Sequence, residues 1–495
     1  YGPIIDVRSV MDIPQLGWTE ESALTYRDAN VDNDEILDQY LAMIQAGDLD
    51  ELIAAHEEHQ GVPLFNTIAT DRTGRAWYAD TSATPNLSPE AIAAFEARVE
   101  RDFLVGAAAD SGLVLLDGSD PRDEWVDEDG ARDPGLVPFD RLPMVERSDY
   151  VFNANDSYWL PHTTEPLEGD YSPLHGRPAT PRTPRTRENA VVLDDTSPEG
   201  PSGEDGKFDL DELADASLQN VGFTARELRA PIVERCQATP TVDVPALTED
   251  DGTTRLPAAT VDLTEACTVL DAWDGVYDVD RAGPVLFHEL LSQFDYGAFT
   301  DAGALWAEPF DPADPVGTPS GLAPPPTNPA TPDPVLVALG RAVQVLDVAG
   351  LPVDVTLGEV QVALRAGERI PIHGGGFVDG TTNIVGNGGR GQASILDDEI
   401  PDLPSGDYVP GSALGDLDGR PSYPIDSGTS FLLAVAFGED GPEARAFLTY
   451  GNTEDRTSDL YVEATQRFSD KEWREVPLDP DEVEEAATST ITVRG

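Results

Sequence analysis

The sequence contains little cysteine and no long apolar run. Its 495 residues include only two cysteines, Cys236 and Cys267, which could be buried and free or, in an oxidising compartment, form a disulfide. The longest apolar candidate, FLVGAAADSGLVLL, is interrupted by Asp110 and falls short of the ~18 apolar residues that a membrane-spanning helix needs. A membrane span is therefore not expected.

Positive charge is scarce as well, and lysine above all. The chain carries 31 basic and 93 acidic residues, a net charge of −62, and its only lysines are Lys207 and Lys471. Such a charge argues against nucleic acid as a partner, and an anionic membrane surface would repel the protein. Because the acidic residues are spread along the whole chain, we interpret them as an adaptation to high salt, where self-repulsion is screened. An acidic secreted protein from an ordinary habitat is the alternative.

What the chain does contain is a mixture of helical and strand periodicity. The apolar spacing of residues 32–59 predicts two helices, the first with Tyr40 on its apolar face. A turn at residues 72–74 then predicts a β-hairpin, and Ser88 followed by Pro89 predicts the start of a third helix.

The rest of the chain predicts helices first and strands last. Residues 207–300 are mainly helical in pattern, 308–335 form a proline-rich strap, and SFLLAVAF and ARAFLTY are typical of central strands. Two acidic stretches rich in glycine and proline are expected to be exposed loops: 117–142 and 194–206. Together these patterns indicate an α+β fold with long loops.

Three motifs suggest chemistry that their surroundings do not support. HGGG at 373–376 resembles the oxyanion loop of α/β-hydrolases, but no G-x-S-x-G nucleophile elbow accompanies it, so we interpret it as a surface loop. DGKFDLDEL imitates half of a calcium-binding EF-hand, yet proline and glycine occupy the first and third ligand positions. His56 and His59 have a spacing that could bind metal, but no cysteine or third histidine is near, which favours solvated histidines.

Two asparagines lie inside an aromatic segment, YVFNANDSYWLPHTTEPLEG at 150–169. Amide groups in such surroundings need hydrogen-bond partners once water is excluded. Asn153 and Asn155 therefore predict either a loop tied together by Asx turns or a neutral donor directed at developing negative charge. The arginine run that follows, RPATPRTPRTRENA, could be a solvated or ion-paired loop, or part of the same site.

Several segments follow the order in which one known family carries them, over about residues 1–477: YRDAN, QGVPLFNTIATDRTGRAWYAD, NANDSYWL, PLEGDYSPL, PRTR, ACTVLDAWD, EPFDPADPVGTPSGLA, GTSFLLAVAF and LTYGNTEDRTSDLYVEATQRFSDKEW. On these motifs the chain resembles the penicillin-acylase branch of the N-terminal-nucleophile hydrolases, and within it the acyl-homoserine-lactone acylases and aculeacin-type acylases.

The resemblance implies an αββα sandwich and a precursor cut into α and β chains. The nucleophile would be the serine at the new β-chain N-terminus, whose α-amino group, with a pKa of about 7.7–8, can act as the base for its own hydroxyl. Attack on an amide forms an acyl-enzyme and releases the amine, and water then hydrolyses the ester. On this basis we expect residues 1–195 to belong to the hydrolase core, 196–345 to be a mainly helical insertion with the strap, and 346–495 to return to the core sheet.

The resemblance also assigns residues near the reacting bond. Asn155 matches the family's oxyanion-hole asparagine, whose side-chain amide donates to the developing charge, and Asn153 is then structural. Arg185 matches the arginine of PRTR near the family's active site, where its charge would order Asn155 and keep the terminal amine neutral. Arg187 is the alternative, because this loop is one residue longer than in some relatives and the register could slip.

Further residues match the acyl pocket and a crosslink. Tyr40, Leu64 and Phe65 correspond to positions that line the family's acyl pocket, and plain core is the other interpretation of these side chains. Cys236 and Cys267 fall where relatives carry a disulfide. Some relatives bind calcium, but no complete ligand set is visible in this sequence, so no cofactor is expected and calcium stays possible.

The chain departs from the family at its beginning. In the family a serine nucleophile, a histidine, an oxyanion-hole backbone amide and the whole α chain come before the segment that matches YGPII, and none of them is present here. We therefore expect the polypeptide that begins at Tyr1 to be part of a β chain, inactive on its own, whose partners are the α chain and the preceding part of the β chain.

The expected parent protein is an extracellular or periplasmic hydrolase of N-acyl amides with a hydrophobic acyl group. An acyl-homoserine lactone is the first substrate to consider, and a penicillin or lipopeptide amide is the second. A catalytically dead remnant or a module that binds acyl ligands without chemistry is the non-enzymatic alternative.

Overall fold

The computed structural model describes residues 2–5, 20, 22–248, 252–328, 330–386, 412–417, 419–425, 427–439, 441–453 and 455–492. The chain forms two compact units, Tyr1–Thr180 and Pro181–Gly495. Each unit contains both helices and strands, in agreement with an α+β fold. The division into 1–195, 196–345 and 346–495 stays a prediction.

The first unit is built from short elements around one three-stranded sheet. Its helices are α1 (Ile36–Gln45), α2 (Leu49–His59), α3 (Pro89–Val99) and α4 (Phe103–Asp110). Its strands are β1 (Ile4–Ile5), β2 (Leu24–Thr25), β3 (Asn66–Thr70), β4 (Ala76–Asp80) and β5 (Met144–Arg147). β4 lies between β3 and β5, and both pairings are antiparallel.

The local predictions for this unit are confirmed. Asp71 accepts a hydrogen bond from the backbone of Thr73 (2.8 Å) at the turn between β3 and β4, where Gly74 has a φ of +84°. Ser88 caps α3 by accepting from the backbone N–H of Ala91 at 3.1 Å.

The apolar face of α1 is exposed rather than packed in the core. Leu37, Leu41 and Ile44 are all exposed, whereas Gln39 is buried. The Gln39 side chain accepts a hydrogen bond from the backbone N–H of Gly61 at 3.0 Å. Helical periodicity therefore identified the helix, but the tightly packed side of α1 is the one that carries an amide.

The interpretation of His56 and His59 as solvated is wrong. His56 is completely buried, with its Nδ1 2.9 Å from the hydroxyl of Thr81 and its ring against Trp77. Burial lowers the pKa of His56 to about 4. His59 lies 2.7 Å from the carboxylate of Glu35. Both histidines are held by protein partners that lie more than one helical turn away in the sequence.

The acidic stretch 117–142 is only partly an exposed loop. Its last part is buried in a small cluster: Val137, Phe139 and Leu142. The stretch 194–206 is a run of turns in which most residues are exposed or half-buried, as predicted.

The second unit carries the larger set of elements. Its helices are α5 (Pro184–Asp194), α6 (Leu210–Ser217), α7 (Phe223–Ala238), α8 (Thr264–Ala272), α9 (Pro284–Leu291), α10 (Pro334–Ala349), α11 (Leu357–Val360), α12 (Asp459–Ser469) and α13 (Pro480–Ala486). Its first strands are β6 (Thr241–Val244), β7 (Leu247–Thr248), β8 (Thr254–Leu256), β9 (Ala259–Asp262), β10 (Trp306–Glu308) and β11 (Ser320–Leu322). The later ones are β12 (Gln361–Arg365), β13 (Glu368–Pro371), β14 (Val385–Gly386), β15 (Gly415–Leu417), β16 (Arg420–Pro424), β17 (Ser427–Gly428), β18 (Phe431–Phe437), β19 (Pro442–Leu448) and β20 (Arg474–Glu475).

One large apolar cluster holds this unit together. Every residue of α9 is buried, and α9 packs against α10 and the α7–α8 pair. Gly340 of α10 allows β6 to approach closely, because a Cβ there would lie 2.6 Å from Val244. A disulfide between Cys236 and Cys267 joins α7 to α8, so the predicted crosslink is present in the structure.

The two strands predicted near the C-terminal end are present, but β18 is not central. Among the described residues, the sheet order is β18-β19-β20, which leaves β18 at an edge. Phe431, Leu433 and Val435 point away from the core and are exposed. A strand that is apolar on both faces is typical of a buried sheet, so sequence pattern alone overestimated the burial of β18 within this chain.

The HGGG segment is buried, and its interpretation as a surface loop is wrong. Both ring nitrogens of His373 have hydrogen-bond partners. Nδ1 lies 3.0 Å from the Asn220 amide nitrogen, and Nε2 lies 2.7 Å from the Phe468 backbone oxygen. Burial lowers the pKa of His373 to about 4. The glycines let this segment pass through a packed interior, since a Cβ on Gly375 would lie 2.8 Å from Asp379.

Candidate functional site

The two asparagines of the aromatic segment have different surroundings. The Asn153 side chain accepts from the backbone N–H of Asn155 (2.8 Å) and donates to the backbone oxygen of Asp156 (3.0 Å). This Asx arrangement fits the structural interpretation of Asn153. Asn155 is exposed and has a φ of +67°, in the left-handed region that asparagine tolerates better than most residues. The turn thus presents the Asn155 side chain at its surface.

Aromatic side chains anchor this turn to the sheet. Tyr158 is buried with Tyr78 of β4, and its ring meets Tyr171 at a centroid distance of 4.9 Å in a T-shaped arrangement. His175 lies 2.9 Å from the Asp80 carboxylate at the end of β4. Burial raises the pKa of Asp80, but hydrogen bonds and the charge of its partners outweigh burial and hold the pKa below its ordinary value. The turn is therefore a supported structure rather than a free loop.

The three predicted acyl-pocket residues are exposed, so their alternative interpretation as plain core is wrong. Tyr40 lies on α1, and Leu64 and Phe65 follow Gly61 in the connection to β3. Hydrogen bonds tie this connection to α1 and the residues before it. The backbone N–H of Gly61 donates to the side chain of Gln39, which directly precedes Tyr40 in α1. Asn33 also donates to the backbone oxygen of Gly61 at 3.0 Å. The structure thus gathers the apolar candidates on neighbouring segments of the first unit.

Arg185 belongs to the second unit, in the first turn of α5. Thr183 caps this helix and Pro184 occupies its first position. Only 9% of Arg185 is exposed, and its guanidinium lies 5.5 Å from the ring centroid of Phe377. Arg187 is also buried, with its Nε donating to the Val316 backbone oxygen at 2.7 Å. The arginine run is thus a helix with buried guanidinium groups rather than a solvated loop.

Sequence reasoning missed a buried carboxylate one turn further along α5. Glu188 is completely buried and pairs with Arg226. Burial raises the pKa of Glu188 to about 7, although Arg226 lowers it. The sequence around Glu188 is polar and does not predict a buried side chain. Glu188 is buried because α7 packs against α5.

It also missed a buried network around Asp379. The Asp379 carboxylate accepts from the Tyr277 hydroxyl (2.8 Å) and the Gly376 backbone N–H (2.7 Å), and it lies 2.8 Å from His288 Nδ1. Burial lowers the pKa of His288, but the Asp379 charge outweighs burial and raises it to about 9. A sequence separation of 91 residues between His288 and Asp379 hid this pair from motif analysis.

Asn155, Tyr40, Leu64 and Phe65 therefore belong to the first unit, and Arg185 and the disulfide to the second. Within the described ranges, no group of three or more His, Cys, Asp or Glu could hold a metal ion, and calcium binding stays untested. The helices of the described part of the chain are all too short or too polar to cross a membrane.

Known proteins resemble this chain over nearly all of its length. The sequence model of the penicillin amidase family matches residues 1–485. The acyl-homoserine lactone acylase PvdQ of Pseudomonas savastanoi pv. phaseolicola is 28% identical over 479 residues, which cover 97% of this chain and 52% of that protein. Aculeacin-A acylase of Actinoplanes utahensis is 33% identical over 478 residues, which cover 96% of this chain and 52% of that protein.

The chain spans about half the length of the curated relatives it matches. Among solved structures, a thermostable penicillin G acylase from Alcaligenes faecalis aligns with a TM-score of 0.47 at 13% identity, covering 97% of this chain and 78% of that one.

Proposed function

This chain belongs to the penicillin amidase family, and on that premise we propose that it serves in the hydrolysis of N-acyl amides with hydrophobic acyl groups. The reaction proceeds through an acyl-enzyme, with acyl-homoserine lactones as the first substrate class. The observation that carries the proposal is the exposed amide of Asn155 on a turn held by Asn153 and by buried aromatic residues.

Asn155 donates from its side-chain amide to the oxyanion of the tetrahedral intermediate. Such a donor is effective when it is fixed before the charge develops, and losing one typically costs about 2.7–4 kcal/mol of transition-state stabilisation. The hydrogen bond from the Asn155 backbone to Asn153 and the anchoring of Tyr158 in the sheet support this role. A neutral amide also adds no charge of its own to an already acidic protein.

Arg185 supplies a fixed positive charge in the same reaction. A nearby cation disfavours the protonated form of an amine, so Arg185 would keep the nucleophile's α-amino group in its basic state. The position of Arg185 in the first turn of a capped helix and its small exposed fraction support a fixed orientation. Arg187 is the weaker candidate, because its guanidinium is engaged with the Val316 backbone oxygen and lies 4.2 Å from the Phe223 ring centroid.

Tyr40, Leu64 and Phe65 bind the acyl chain. These apolar side chains are exposed in the described structure, and covering them with an acyl chain would contribute roughly 0.8 kcal/mol for each CH₂ group buried. The same exposed set favours the rival function, binding of an acyl ligand without hydrolysis. A penicillin or lipopeptide amide is the second substrate class to test.

The nucleophile lies in the part of the relatives' length that has no counterpart in this chain. We propose that the parent of this chain is processed into two chains, as its resemblance to the N-terminal-nucleophile hydrolases implies. The disulfide between Cys236 and Cys267 supports an extracellular or periplasmic location. The proposed mechanism requires no cofactor. The net charge of −62 supports function at high salt.

The complete gene product is the protein to test, with purified enzyme incubated with N-acyl homoserine lactones of short and long acyl chains, a penicillin and a lipopeptide. Release of free amine and of the corresponding carboxylic acid in equal amounts would support the proposal. Saturable binding of the acyl ligands without release of amine would reject hydrolysis and favour the binding function.

A variant pair sharpens the assay. Phe65→Ser should raise KM for long acyl chains more than for short ones, because a long chain has more CH₂ groups to bury against the apolar set. Phe103→Ser, at another exposed phenylalanine of the same unit, is the control and should leave KM unchanged.

A further inference from the structure

A mostly buried loop places one exposed phenylalanine next to the guanidinium of Arg185. The loop, residues 373–380, includes the HGGG motif and ends at Gly380. Phe377 lies at its turn, 54% exposed, with its ring centroid 5.5 Å from the Arg185 guanidinium. This distance is within the ~6 Å over which a guanidinium is attracted to an aromatic face.

The loop cannot move freely, because Asp379 anchors it. The buried Asp379 carboxylate accepts from Tyr277 and Gly376 and lies 2.8 Å from His288. Removing one of these partners would leave a buried charge underpaired, which is costly in a low-dielectric interior. The anchor therefore fixes the backbone only two residues away from Phe377.

A second set of contacts joins the loop to the start of α5. Gly380 has a φ of +80°, and a Cβ at this position would lie 2.7 Å from the Pro184 side chain and 2.9 Å from that of Phe223. The backbone N–H of Phe223 donates to the Gly380 backbone oxygen at 3.3 Å. Pro184 is the residue directly before Arg185, so the loop packs against the turn that carries the arginine.

We propose that Phe377 is a positioning residue for Arg185, with loop 373–380 as its rigid support. The ring restricts the guanidinium to one side of α5 and, unlike a carboxylate, adds no countercharge that would offset the positive charge of the arginine. The catalytic consequence rests on the proposed function of Arg185, whereas the contact itself does not.

The test compares three variants of the complete gene product: Phe377→Leu, Phe377→Tyr and Phe431→Leu. Phe431 is a matched control, because it is a phenylalanine of the same unit that is also 54% exposed. The first readout is the rate at which phenylglyoxal modifies Arg185, followed by mass spectrometry of the peptide that contains it. We expect a several-fold faster modification of Arg185 in Phe377→Leu only, because tyrosine preserves the aromatic face.

The second readout is the steady-state hydrolysis of an N-acyl amide. Phe377→Leu should lower kcat by roughly two- to fivefold, the range that a partly exposed cation–π contact supplies, with KM unchanged. Phe377→Tyr should restore the wild-type kcat.

The outcomes separate the two proposals. Unchanged reactivity of Arg185 in Phe377→Leu would overturn the positioning role, as would raised reactivity with an unchanged kcat in an active enzyme. If the wild type hydrolyses no N-acyl amide while Arg185 becomes more reactive in Phe377→Leu, the proposed function is rejected and the ring contact is supported.

Discussion

The two compact units bury their apolar residues in different ways. The second unit has one large cluster centred on α9 and α10, with α7 and α8 packed against it and crosslinked by the disulfide. The first unit has several small clusters, two of them on opposite faces of its three-stranded sheet and one between α3 and α4. It leaves α1 and the segment after Gly61 with exposed apolar side chains. On this comparison we expect the second unit to supply most of the stability of the chain.

The largest expected effect is the loss of a core side chain in the second unit. Ile232 of α7 is completely buried in the large cluster, so Ile232→Ala should lower the free energy of unfolding by about 2–5 kcal/mol. Ile68→Ala in β3, where the side chain is 46% exposed, should cost less than about 1 kcal/mol. Urea denaturation of both variants measures the difference, and equal costs would contradict the comparison.

Loss of the disulfide should have the next largest effect. Cys236 and Cys267 are separated by 31 residues, and closing a loop of this size typically contributes about 2–4 kcal/mol. The variant with both cysteines changed to alanine should therefore be more easily cleaved by protease within 181–495. Cleavage within 1–180, which contains no cysteine, is the internal control and should not accelerate.

The third prediction uses pH, because two buried histidines shift in opposite directions. Burial lowers the pKa of His56 in the first unit to about 4 from an ordinary value of 6.5. Its contribution to stability is therefore fully present above pH 6.5 and is lost as pH falls toward 4. The Asp379 charge raises the pKa of His288 in the second unit to about 9. That contribution is fully present below pH 6.5 and is lost as pH rises through 9.

Each unit of pKa shift changes the free energy of unfolding by about 1.4 kcal/mol. Only part of that change occurs at moderate pH, because the full change needs a pH beyond both pKa values of the group. His373 in the second unit also has a pKa lowered to about 4, so both units should lose stability as pH falls. Only the loss of stability at alkaline pH is specific to the second unit. His288 lies near the charges of Asp379 and Glu289 and against the Tyr423 ring, and Tyr277 donates to the same Asp379 carboxylate. His288→Gln should flatten the alkaline limb in hydrogen exchange of 181–495 without changing the acid limb of 1–180.

Sequence predicted what depends on neighbours along the chain. The Ser88 cap and the turn at residues 72–74 follow from local hydrogen bonding, and the mainly helical pattern of 207–300 follows from periodicity. The disulfide was predicted from the family resemblance. Each of these features is decided by a few consecutive residues or by a shared motif.

The wrong predictions for His56 and for the HGGG segment concern burial created by distant segments. His56 packs against Trp77 of β4 and Thr81 directly after it, and His373 of the HGGG segment bonds to Asn220 and Phe468, which are far away in the sequence. Hydrophobic pattern cannot reveal such enclosure, because the residues concerned are polar or glycine. The roles of Asn155 and Arg185 stay predictions, carried by motif match and supported by local geometry.

The measurement that tests the account most directly is the steady-state kinetics of Asn155 variants in the complete gene product. Asn155→Ala also introduces backbone strain, because Asn155 has a φ of +67°, so Asn155→Gly serves as the variant that removes the amide without strain. Both should lower kcat for an N-acyl amide by about 10²–10³-fold with little change in KM. A folded Asn155→Gly enzyme whose kcat stays within about threefold of wild type, a loss too small for an oxyanion donor, would contradict the assignment.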